Sequence, residues 1–225
     1  MALAHLQSDV QAGGTGTYAI GAGSDRLLVV MHRRDALSRP SSYTWGGRSF
    51  TQFGSALDFT VSNSIRISCW YLLEADIALA VGDSWGGSGV TIGDRSVVVL
   101  KGANQGTPLR DFDGNMQAST IDPCSVVSAS SLSGDLIIFN ALSPAGINFA
   151  PASVGAFTVG GGPETNMRMF YGSAGADGAT YSVTGFVPDV PAIRQVAAGV
   201  IAVSGAGSGV SSRIRTTRRR LRALP

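Results

Sequence analysis

The chain has 225 residues, 44% of them hydrophobic and only 14% charged, with 30 glycines. That length buries a core without disulfide or metal staples, and low charge with high glycine suits many short strands joined by tight turns. The formal charge of +2 (17 minus 15) conceals a separation: residues 213–225 hold six arginines and no acid, so the remainder sums to −4 (11 minus 15).

Residues 1–7 carry no basic segment followed by an apolar run, which argues against a cleaved leader and for synthesis and retention in a cytosol or exit without a leader. No uninterrupted apolar stretch approaches the length of a membrane span, so no membrane partner is expected. Residues 1–20 read as an N-terminal segment, 21–203 as a β-sandwich body, 204–212 as a Gly/Ser linker and 213–225 as an arginine-rich arm.

Within the body the apolar period is two. After the turn-prone residues 21–25, residues 26–32 (RLLVVMH) form the first β-type run. Gly46 and Gly47 mark a hairpin before the run at 48–53. From 64 to 73, Ile65, Ile67, Cys69, Tyr71 and Leu73 alternate with Arg66, Ser68, Trp70 and Leu72, a strand with one face buried and the other partly so. Further β-type runs cover 77–81, 96–101 (SVVVLK), 135–140 (DLIIFN), 166–171, 179–186 and 193–203, with turn clusters at 86–87, 160–163 and 172–178. Continuous runs such as VVVL indicate central strands, and the absence of an amphipathic helix indicates an all-β sandwich. One faint internal echo stands out. Arg26-Leu-Leu-Val-Val and Gly134-Asp-Leu-Ile-Ile each leave a Gly/Ser turn and enter an apolar strand, as a two-fold sandwich would require and as chance also produces.

The order of these signals resembles a jelly-roll β-sandwich module found in tailed-bacteriophage virion proteins and bacterial surface proteins. The residues that carry the likeness are Arg26-Leu-Leu-Val-Val, Tyr43 to Thr51 with its Gly46-Gly47 turn, Cys69-Trp-Tyr-Leu-Leu73, Gln105-Gly-Thr-Pro-Leu109 and Gly134-Asp-Leu-Ile-Ile138. Pro108 breaks the strand ladder and makes 105–109 a crossover loop. The likeness spans about residues 21–204 and implies an architecture and a setting, with no catalytic signature to carry over.

Candidate chemistry is sparse. His32, Arg33, Arg34 and Asp35 form the densest polar cluster of the body, but two histidines and no Gly-x-Ser-x-Gly elbow leave no nucleophilic site, and a surface loop is expected. Cysteine and histidine are too few for a zinc site, and Cys69 and Cys124 read as free thiols, Cys69 in the core. Asp111-Phe-Asp-Gly-Asn115 lacks the remaining ligands of a calcium loop and reads as a polar turn. Gly160-Gly-Gly-Pro-Glu164 lacks the lysine of a phosphate cradle and reads as a long turn. No metal, cofactor or catalytic residue is expected. Trp45 and Trp85 lie beside Gly-Gly turns, where their rings either protrude to stack on sugars or pack into the core; Trp70 lies in a strand and packs.

Lys101 is the only lysine beside sixteen arginines. That bias suits fixed ion pairs at packed interfaces, and a GC-rich genome gives the same bias. The arm, with Arg213, Arg215, Arg218, Arg219, Arg220 and Arg222, has three readings. It docks on an acidic neighbouring subunit, it neutralises nucleic-acid phosphates, or it is a solvated tail. These signs converge on a non-enzymatic virion component, an outer or accessory protein of capsid or tail. It would be assembled in the host cytoplasm, packed against other virion subunits and built as a symmetric homo-oligomer. The alternative is a carbohydrate-binding adhesion module recognising host surface glycans through Trp45 and Trp85.

Overall fold

In a computed structural model, the structure describes residues 2–11, 16–34, 42–59, 65–88, 94–118, 124–127, 130–142, 158–164, 167–174, 180–183 and 195–206. The arginine arm lies outside them. The first half of the chain gives β1 (Ala4–Gln11), β2 (Leu27–Arg34), β3 (Thr44–Trp45), β4 (Arg48–Ser49), β5 (Thr51–Phe59), β6 (Ile65–Leu73), α1 (Glu74–Ala78), β7 (Trp85–Gly86) and β8 (Arg95–Lys101). The second gives β9 (Leu109–Ala118), β10 (Cys124–Val127), β11 (Leu136–Leu142), β12 (Thr158–Glu164), β13 (Met167–Ser173), β14 (Thr180–Val183) and β15 (Gln195–Val203).

The result is an all-β sandwich of two five-stranded antiparallel sheets. One runs β1-β8-β2-β6-β5 and the other β9-β15-β11-β13-β12, so each half of the chain builds one sheet. Numbering the long strands of each half one to five, both sheets read 1-5-2-4-3. The edges face in opposite senses, β1 lying against β12 and β5 against β9. Between the sheets, Leu27, Val29, Met31, Ile67, Cys69, Val98 and Leu100 pack against Leu109, Leu136, Ile138, Met167, Met169, Ile201 and Val203. Each fully buried aliphatic side chain contributes about 1.5–3 kcal/mol.

The first sheet is buried on its outer face as well. Leu28, Val30, Leu72, Val97 and Val99 point there and are covered by Tyr18, Tyr43, Trp45, Phe50, Ile77 and Trp85. Burial on both faces explains why residues 26–32 and 96–101 read as continuous apolar runs rather than alternating ones. The cover is built from β3, β4 and β7, a three-stranded sheet in the order β4-β3-β7.

Several sequence expectations are corrected. The N-terminal segment is not separate from the body, because β1 pairs along its length with β8. Residues 77–81 are the end of α1 and the turn after it, where Glu74 and Asp76 sit favourably in the first helical turn. His32 and Arg33 are not in a surface loop but are buried in β2; the side chain of Arg34 and all of Asp35 lie outside the described residues. Asp111 to Asn115 is extended within β9 rather than a turn. Gly160 to Glu164 belongs to β12, an edge strand whose register slips twice against β13, which is where a sheet tolerates glycine and proline.

Candidate functional site

The densest arrangement of polar and aromatic side chains among the described residues lies on the outer face of the first sheet. Gly46 and Gly47, with φ of 55° and 76°, make the tight turn that pairs β3 with β4 and sets Trp45 opposite Arg48. A side chain at Gly46 would meet the Gly82 carbonyl oxygen at 2.7 Å, so this turn admits only glycine. β7 then pairs on the other side of β3 and places Trp85 opposite Trp45.

Tyr43 is the centre of the cluster. Its ring meets Phe50 edge-on at 5.2 Å and Trp85 at 5.7 Å, and stacks on Trp70 at 6.1 Å. Beneath them, Arg95 from the start of β8 donates to the Tyr43 hydroxyl at 3.0 Å and to Gln11 Oε1 at 3.3 Å, and its guanidinium sits 4.7 Å from the Trp85 ring centroid. Gln11 Oε1 also accepts from Trp85 Nε1 at 3.0 Å. Burial pushes the Tyr43 hydroxyl pKa up, and the neighbouring Arg95 charge partly offsets this. Tyr18 at the rim is pushed up to about 12, chiefly by burial. Both phenols therefore stay neutral.

Trp45 and Trp85 are each only 4% exposed. Trp45 Nε1 donates to the Tyr18 carbonyl at 3.0 Å, so both indoles have their polar atom satisfied inside the protein. The rings pack inward, and neither presents a face on which a sugar could stack. Trp70, expected to pack, does so, donating to Ser68 Oγ at 2.8 Å. The sequence reading missed Arg95, Gln11 and Tyr43 as partners of these indoles. Their only local signal is an arginine and a glutamine at strand ends, and the topology alone joins them.

Five further arginines among the described residues of the body are paired with acids. Arg26 pairs with Glu74 at 2.6 Å, Arg33 with Asp94 at 2.8 Å, Arg48 with Asp76 at 2.7 Å and Arg110 with Asp135 at 3.0 Å, while Arg66 is bound to Asp58. Hydrogen bonds from Arg26 hold the Glu74 carboxyl below its ordinary range. Arg66 and Asp58 face each other across β6 and β5, Arg26 and Arg48 reach acids of α1, and Arg33 and Arg110 reach acids just before β8 and β11. Cys69 is a free, fully buried thiol whose pKa burial pushes far up, so it is inert; the side chain of Cys124 lies outside the described residues. No group of three or more metal-ligating side chains occurs among the described residues, and no helix among them is long and apolar enough to cross a membrane. Arg213, Arg215, Arg218, Arg219, Arg220 and Arg222 lie outside the described residues.

No family model matches the chain, and no curated protein or solved structure matches it.

Proposed function

We propose that the protein is a non-enzymatic structural component of a bacteriophage virion, an outer or accessory protein of capsid or tail that packs against neighbouring subunits. The carrying observation is the division of charge. Arg26, Arg33, Arg48, Arg66 and Arg110 of the body are each paired with one of the body's own acids. The six arginines of the arm have no acid in their own segment, and the rest of the chain sums to −4 (11 minus 15). An arm of this kind gains charge-assisted contacts on an acidic surface of a neighbouring subunit. The glycan alternative loses support because its two stacking rings are core residues.

The test is a chain ending at Ser212. It should melt at the same temperature as the full chain but fail to co-sediment with particles, and the full chain should dissociate from them as salt rises toward about 1 M, where screening is nearly complete beyond 3 Å. Normal incorporation of the shortened chain would remove the docking role. Salt-sensitive binding of the free protein to DNA, lost on truncation, would assign the arm to nucleic acid instead.

A further inference from the structure

We infer that the chain is two copies of one five-stranded unit fused end to end, and that each unit's inner face docks the other unit whichever chain supplies it, so that two copies of this protein exchange halves into a closed dimer.

The units agree below the level of strand order. In the first sheet Leu100 faces His5 and Val99 faces Gln7, leaving Leu6 as an extra, bulged residue of β1. In the second Val203 faces Leu109 and Ala202 faces Asp111, leaving Arg110 bulged from β9. Aligned on these bulges, Gln7 is the counterpart of Asp111, and Asp9 of Asp113. Gln7 Oε1 accepts from the Gly21 amide at 2.8 Å; Asp111 Oδ2 accepts from the Ser130 amide at 3.1 Å. Gly21 and Ser130 each stand six residues before the next long strand, at Leu27 and Leu136. Asp9 Oδ1 accepts from the Val10 amide at 2.9 Å, and Asp113 Oδ1 from the Gly114 amide at 2.7 Å.

The agreement extends to backbone conformation and pairing. Asp25 (φ 51°) and Gly134 (φ 91°) each take the left-handed conformation two residues before β2 and β11. Leu27 faces Leu73 and Leu136 faces Ser173, and on that alignment the pair Thr51 and Tyr71 recurs as Thr158 and Tyr171. Sandwich architecture alone demands neither a bulge at one chosen residue nor side chains at equivalent positions accepting from amides at equivalent positions. Such features are kept within a family of related units.

Exchange follows from how the units are joined. Among the described residues, no strand of one half pairs with a strand of the other, and the halves share one isolated bridge, Ala103 with Gly205. The connector from β8 to β9 is folded back on itself. Asn104 Oδ1 accepts from the amides of Gly106 and Thr107 at 2.9 and 3.1 Å, while Ser204 accepts from Asn104 at 2.9 Å and donates to the Pro108 carbonyl at 2.8 Å. Opening this turn releases one half with its sheet intact, and the matching half of a second copy restores the same interface.

The experiment removes Gly106 and Thr107 from the full chain, deleting the two amides that close the turn. Light scattering should then give the mass of two chains, with an unchanged far-ultraviolet spectrum; a folded monomer would overturn the inference. Should the shortened chain not fold, a protease site between Gly106 and Thr107 of the full chain, cut after folding, decides it. Two cut preparations, one mass-labelled, are mixed, partly denatured and returned to buffer. Native mass spectrometry should find hybrid pairs of halves, about half of all pairs; separated halves or parental pairs alone would overturn the inference.

Discussion

The guanidinium of Arg95 lies 4.7 Å from the centre of the Trp85 ring, and both side chains bind the same oxygen, Oε1 of Gln11. An arginine at the start of β8 thus organises the aromatic layer that covers the first sheet. The same contacts withdraw Trp85 from the surface.

Replacing Trp85 or Trp45 by alanine should therefore act on stability. Each removes a fully packed indole and should cost about 3–5 kcal/mol in a urea titration. Retained stability with loss of binding on a glycan array would reinstate the adhesion reading.

Tyr43→Phe isolates the polar part of the same cluster. It keeps the ring contacts but takes a hydroxyl away from a buried guanidinium, which should cost about 1.5–3 kcal/mol. A neutral result in denaturant titration would mean that the Tyr43 hydroxyl does not hold Arg95 in place.

His5 provides a pH dependence. Its ring stacks flat on Tyr171 at 3.8 Å, joining β1 to β13 across the sandwich, and burial lowers its pKa below 6.5. The unfolded chain therefore takes up this proton first as pH falls. Its stabilising effect is complete above about 6.5 and declines below that as pH falls toward the folded pKa. Melting temperatures between pH 7.5 and 5.5, above the range where Glu74 titrates, should fall more for the parent than for His5→Phe; equal slopes would contradict it.

Asp25 and Gly134 test the equivalence of the two units at one backbone position. Gly134 has open space around it, so Gly134→Ala should cost about 1–2 kcal/mol through its left-handed conformation alone. Asp25→Gly should be neutral or stabilising by up to about 1 kcal/mol, read from the denaturation midpoint. Destabilisation by Asp25→Gly would show that its carboxylate has a structural partner.

The sheet core was legible in the sequence because period two and β-branched runs are local signals: residues 26–32, 64–73 and 96–101 became β2, β6 and β8. The echo between Arg26-Leu-Leu and Gly134-Asp-Leu marked the second long strand of each unit. What stayed hidden depends on position in the sheet. β1 is an edge strand whose alternation is diluted by Gln7, Ser8 and Asp9, and β12 carries glycine and proline that only an edge can accept. The fate of Trp45 and Trp85 was hidden too, since a Gly-Gly turn is compatible with a ring turned either way and only the covering sheet decides.

The most direct test of the proposed virion assignment is electron cryo-microscopy of virus particles purified from the biological source of this chain, with mass spectrometry of the same preparation. The expected result is the two-sheet sandwich at regular positions on capsid or tail, with the segment from Arg213 to Arg222 against an acidic face of the adjacent subunit. Particles that lack the chain would contradict the assignment.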